Sequence, residues 1–221
     1  MPLEIALMIS IRSSIKYIEL LVAIIGTIYL FKYKHTYLKY FLVILWYTAI
    51  NEFSGYLFRI LGFSTNMIIY NVFHFINFSF LFLLFNRSLE IPKYKKATSI
   101  FLGIYVASFF INMFFENYLI EVQTVPFLIA SVLLITSIVF YFSEILNTEE
   151  VLYVKNNMLF WISVGYLLYL SGNIPIRVIR NYFADVVSLE NVLEISSVLS
   201  IVMNMCFIIG FVWGEKDKGK L

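Results

Sequence analysis

Seven long apolar runs follow one another through this chain, at residues 15–31, 40–62, 67–85, 97–115, 122–142, 158–180 and 191–213, with no polar break longer than about 15 residues. Each run is close to the roughly 20 residues an α-helix needs to cross the hydrocarbon of a bilayer. Inside lipid, backbone N–H and C=O groups have no water to turn to. A single apolar segment satisfies them only as a helix. The chain is 61% hydrophobic and 14% charged, where soluble domains are about half apolar and a quarter charged. The predicted fold is therefore all-α: a polytopic membrane protein, one transmembrane domain over residues 1–221, built as a bundle of seven helices. The breaks are too short to hold an inserted soluble domain. Function is expected inside the bundle, at its mouths, or through partners.

Orientation follows from the basic residues beside the runs. Placing the N-terminus outside and the C-terminus in the cytoplasm puts Lys32, Lys34, Lys39, Arg87, Lys93, Lys95, Lys96, Lys155, Lys216, Lys218 and Lys220 on the inner side. Arg12, Lys16, Arg59, Arg177 and Arg180 stay outside, where Glu116, Glu121, Asp185 and Glu190 also fall. Arg12 and Lys16 run against the pattern, as does the acidic fifth connection with Glu144, Glu149 and Glu150. The first residues include Glu4 and lack a positive leader, so no removable signal peptide is expected. Residues 3–11 are expected to form a short helix in the membrane interface. A net charge of only +2 gives no footprint for a nucleic-acid partner.

The polar residues within the runs collect in one leaflet. Glu52, Tyr56 and Arg59 recur at the spacing of one helix face, and Asn71, His74 and Asn77 recur every third residue. Asn173, Arg177 and Arg180 repeat the four-then-three spacing of Glu52, Tyr56 and Arg59 near the outer end of the sixth run, beside Gly172 and Pro175. Glu190, Glu194 and Ser197 share a face of the seventh, with Asn204 deeper; Glu19, Asn112 and Gln123 fall in the same half. An ionisable group at mid-membrane costs about 2.5–3.5 kcal/mol on insertion scales, and such groups face a bundle interior or a wet cavity. The candidate ligand-binding set is Glu52, Tyr56, Asn71, His74, Asn77, Asn173, Arg177 and Glu194. The alternative reading of the same residues is a packing network that fixes the helices. Arg59, Arg180, Glu190 and Glu19 are expected to reach toward the headgroups. His74, titrating near neutral pH, is a candidate proton or pH sensor beside Glu52, whereas His35 belongs to a solvated inner loop. Gly165 and Gly172, seven apart on one face, fit close helix approach.

Absent motifs remove several functions. Two histidines cannot make a three-histidine zinc site, and no His-Glu-x-x-His segment occurs. The last run holds no lysine for a retinal Schiff base, and no phosphate-binding glycine loop or Gly-x-Ser-x-Gly elbow is present. The proline-glutamine pair of small seven-helix sugar and cystine carriers is also missing. Cys206, the only cysteine, cannot form an internal disulfide and is expected to pack as a small hydrophobe. No cofactor is expected.

Asn51-Glu52, Tyr70-Asn71-Val72-Phe73-His74, Phe160-Trp161-Ile162-Ser163-Val164-Gly165 and Gly172-Asn173-Ile174-Pro175 give the chain a layout that resembles small seven-helix membrane proteins of bacteria. Some of those look like the sensory membrane modules attached to histidine kinases. The outer-side polar groups, the short connections and the lack of an enzymatic motif, beside this resemblance, lead to the expectation of a receptor-like or sensory protein of the bacterial cytoplasmic (inner) membrane, binding a small or lipid-like ligand in an outward-facing polar pocket. This chain as it stands carries no output domain, so a separate cytoplasmic or membrane signalling partner is expected to read the inner face. A small transporter or channel, or a membrane-embedded enzyme using Glu52 and His74 as acid and base, are the alternatives.

Overall fold

The computed structural model describes the backbone of residues 3–61, 65–182 and 189–215, and side chains from Ser14 onward except those of Arg59, Glu149, Glu150, Tyr182 and residues 189–192. Its elements are α1 (Leu3–Ile28), α2 (Leu30–Tyr33), α3 (Lys39–Ile60), α4 (Met67–Ser88), α5 (Pro92–Asn112), α6 (Thr124–Leu146), the 3-10 helix η1 (Glu149–Asn156), α7 (Met158–Tyr182) and α8 (Leu189–Trp213). The described residues contain no strand. Each of the seven apolar runs falls on one long helix.

Among the described residues, five helices are long and apolar enough to cross a bilayer: α3, α4, α6, α7 and α8. Less than half of each such segment is buried inside the bundle, and the outward residues include Val43, Ile50, Leu83, Val132, Val139 and Val202. An apolar exterior of this extent belongs in lipid, as expected of a membrane protein. α5 falls short of that hydropathy because Lys93, Lys95 and Lys96 occupy its first turns.

The first helix differs from the sequence expectation. Residues 3–11 do not form a separate interfacial helix; they are the opening turns of α1, which continues without interruption to Ile28. No glycine or proline occurs between Leu3 and Ile25, so nothing in the backbone interrupts the turn-by-turn hydrogen bonding. α1 then passes Tyr29 into the single turn of α2.

Six long helices close a ring: α7 packs on α8, α8 on α1, α1 on α3, α3 on α4, α4 on α6, and α6 back on α7. α5 stands outside that ring, against α4 and α6. Pro92 opens α5 at its first helical position, where its missing N–H is no loss. The Glu144 carboxylate of α6 accepts from the N–H groups of Glu90 and Ile91 at 2.9 and 2.8 Å, capping the α5 N-terminus with negative charge.

The α7–α8 seam is the closest in the bundle. A Cβ added at Gly165 would stand 3.0 Å from Phe207 and 3.1 Å from the Met203 carbonyl oxygen, and one at Gly172 would collide with Leu199. Small residues at these two positions let the backbones approach.

The end of the bundle carrying the α3 N-terminus and the α8 C-terminus is filled. Phe41 meets Phe207 edge-on at 5.1 Å, and Tyr33 meets Phe211 at 6.2 Å. Phe41, Phe82, Phe85 and Phe207 are buried there. Lys32 donates to the carbonyls of Phe211, Val212 and Gly214 at 3.1, 3.0 and 2.8 Å, satisfying the open C-terminus of α8. The opposite end of the ring is hollow.

Candidate functional site

A cavity of about 630 Å³ occupies that hollow end. All six ring helices contribute to its lining and α5 does not. Its rim includes Lys16, Tyr56, Met67, Arg180 and Leu193, and its floor is Leu45, Phe78, Tyr166 and Phe207. From Tyr56 to Leu45 along α3 the depth is about 16 Å at 1.5 Å per residue.

The polar residues sit on opposite walls. Glu19 of α1 and Glu52 of α3 form one; Arg177 and Arg180 of α7, with His74 of α4, form the other. Glu19 is only 7% exposed, and its Oε2 is buried without a hydrogen-bond partner. Arg177 donates through Nη2 to His74 Nε2 at 3.0 Å. An arginine only donates, so Nε2 is the acceptor and the imidazole proton in this contact belongs on Nδ1. The guanidinium also lies 4.1 Å from the centre of the Phe127 ring, a favourable position for a cation over an aromatic face. Its Nη1 is buried without a partner. Tyr169, beside Arg177 in the lining, is within electrostatic reach of Arg177, Glu19 and Glu52, so both charged walls face one space.

Of the eight residues singled out in the sequence, Glu52, Tyr56, His74, Asn77 and Arg177 line the cavity. Asn77 accepts from the buried Tyr166 hydroxyl at 3.3 Å. Asn71 points elsewhere. Its Nδ2 donates to the carbonyls of Tyr118 and Glu121, both at 2.7 Å, and its Oδ1 accepts from Gln123 N–H at 3.1 Å. It pins the connection between α5 and α6. Asn173 is spent on the α7–α8 seam, donating to the Tyr169 carbonyl at 2.9 Å and accepting from the Ser196 hydroxyl at 2.7 Å. Glu194 is half-buried and outside the lining. Asn112 and Gln123, also noted in that leaflet, bond each other at 2.7 Å.

Glu19 corrects the sequence expectation. It does not reach for the headgroups from a helix end; it is buried in the cavity wall. The reason is the length of α1: with a start at Leu3 rather than near residue 15, Glu19 falls mid-helix. Arg180 likewise lines the cavity, one turn from Arg177. The side chains of Arg59 and Glu190 lie outside the described residues. Lys16 and Tyr166 were not among the candidates. Lys16 holds its ammonium 3.9 Å from the centre of the Tyr56 ring at the rim. The signal for Tyr166 was its place three turns before Arg177, on the same face of α7.

His74 contacts Arg177, and that contact occupies the Nε2 lone pair an acid–base partnership with Glu52 would use. Among the described residues no three His, Cys, Asp or Glu side chains cluster to hold a metal ion. Chemically the arrangement offers a buried guanidinium and a buried carboxyl group with open polar atoms, several tyrosines, and an aromatic floor. Comparison with protein-family models, with curated proteins and with solved structures yields no match.

Proposed function

We propose that this chain is a receptor-like or sensory protein of the bacterial inner membrane, taking a small or lipid-like ligand into the cavity and acting through a partner protein. The ring of α1, α3, α4, α6, α7 and α8 with α5 beside it makes seven spans, N-terminus outside and C-terminus in the cytoplasm. The excess of Lys and Arg near the filled end of the bundle supports that direction. The cavity then opens outward.

One observation carries the reading: a cavity of about 630 Å³ with Arg177 Nη1 and Glu19 Oε2 buried and unpartnered in its walls. Volumes of about 300–1,000 Å³ with a few polar groups on apolar walls are those of small-molecule sites. A network serving packing alone would satisfy its buried groups, since each one left open costs about 1–3 kcal/mol. The aromatic packing of Phe41, Phe207, Tyr33 and Phe211 closes the route to the other side, which favours a receptor over a channel.

The test is ligand retention. Wild-type protein extracted under mild conditions should release a bound small molecule or lipid on denaturation, detected by mass spectrometry. Glu52→Ala, His74→Ala and Arg177→Gln, each verified as folded, should hold less of it. Equal retention in all three would remove the cavity as the binding site.

A further inference from the structure

The site can be assigned a ligand class, a step that rests on the receptor reading above. We infer that the cavity takes a zwitterion, with an anionic carboxylate or phosphate seated on Arg177 and an ammonium seated on Glu19. Both residues line the same space, from two helices that are not neighbours in the ring. Each holds one buried polar atom without a partner, a guanidinium Nη1 on one wall and a carboxylate Oε2 on the other. They do not neutralise each other: the hydrogen bond Arg177 makes here is to an uncharged acceptor, His74, and its other neighbour is the face of Phe127.

The two open atoms are complementary to two ends of one molecule. An anion alone would satisfy Arg177 and leave Glu19, with Glu52 close enough to repel it, more exposed to like charge. A cation alone would do the reverse to Arg177 and its neighbour Arg180. A neutral guest without a matching donor and acceptor would leave both open atoms unsatisfied, and a buried polar group without a partner is costly. The tyrosine hydroxyls and serines between the walls suit a polar linker, and the floor of Leu45, Phe78 and Phe207 suits an apolar body. A carboxylate or phosphate meeting an arginine forms charge-assisted hydrogen bonds roughly twice as strong as neutral ones. Two sources share this chemistry: a free zwitterion such as an amino acid or phosphoethanolamine, and the headgroup of a phosphatidylethanolamine lipid.

The experiment uses the full chain in nanodiscs of phosphatidylglycerol, which carries no amine. Phosphoethanolamine and alanine are titrated against the half-charged probes inorganic phosphate and ethylamine, reading affinity and thermal unfolding midpoint. A zwitterion should bind at least about tenfold tighter than either half-probe, the size of one charged hydrogen bond. Glu19→Gln should abolish the advantage of phosphoethanolamine over phosphate while phosphate still binds. Arg177→Gln should bring phosphoethanolamine down to the affinity of ethylamine. A second arm replaces the lipid with phosphatidylethanolamine: stabilisation there, with none from the free probes, assigns the headgroup. Equal affinity for phosphate and phosphoethanolamine in the wild type, a comparison that needs no variant, would overturn the zwitterion while leaving an anion-binding receptor. Silence of every probe and of the phosphatidylethanolamine arm would overturn it too, and the retention measurement then decides the receptor reading separately.

Discussion

Arg177 of α7 and His74 of α4 meet along one wall of the cavity through a 3.0 Å contact between guanidinium and imidazole. The two helices are not adjacent in the ring, since α6 stands between them. The contact therefore ties α7 to α4 past α6 and sets the direction of the arginine. His74→Phe should lower stability by about 1–2 kcal/mol, the upper range for an interhelical hydrogen bond in a membrane protein. His74→Gln, which keeps an acceptor, should recover most of that loss. Thermal unfolding of the two variants in one detergent gives the comparison; equal losses would mean that ring packing against Phe127 and Phe78 matters more than the hydrogen bond.

Asn71 bears on stability rather than on the ligand. Its side chain satisfies two carbonyls and one N–H of the segment between α5 and α6. Asn71→Ala leaves those groups to water or to nothing, with an expected cost of about 1–3 kcal/mol. Hydrogen exchange should accelerate over residues 117–123 and stay unchanged on α7 and α8. Ligand binding in the folded fraction should match wild type.

Much of this was legible before any coordinates. The seven apolar runs locate the seven long helices because lipid leaves a backbone no other way to satisfy its polar groups. The third-residue spacing of His74 and Asn77 marks one face of α4 that does turn inward. Asn71 follows the same spacing, yet its partners lie on a loop that periodicity does not position. Glu19 was misplaced by the start of α1, because residues 3–14 mix Ser, Arg and Glu among apolar residues and hide a helix that hydropathy alone ends too early. The join between Glu19 on α1 and Arg177 on α7 depends on how the ring closes, and no local pattern encodes that.

The α7–α8 seam tolerates no bulk at two positions. Gly165→Leu would press on the Met203 backbone carbonyl and the Phe207 ring, and Gly172→Leu on the side chain of Leu199. Overpacking of this kind costs about 1–3 kcal/mol. Gly165→Leu should be the worse of the two, because a backbone carbonyl cannot step aside as a leucine side chain can. Unfolding midpoints in detergent would rank them, and the reverse order would show that the seam yields at Met203.

Glu144 caps a helix through two backbone N–H groups. Glu144→Ala should cost about 0.5–2 kcal/mol, the range for loss of an N-cap. Glu144→Gln keeps one acceptor and loses the charge that complements the α5 dipole, so it should fall between the two. Proteolysis near residues 88–92 reads the fraying directly.

The proposed outward opening of the chamber is tested most directly by the reach of a membrane-impermeant thiol reagent. In a Cys206→Ala background, where the protein has no other cysteine, Ser200→Cys places a reporter in the cavity lining and Lys155→Cys places one near the filled end. In intact cells the reagent should modify the Ser200→Cys protein and spare Lys155→Cys; inverted vesicles should give the opposite pattern. Modification at position 200 only in inverted vesicles, or from neither side, would contradict an outward-facing cavity and the receptor built on it.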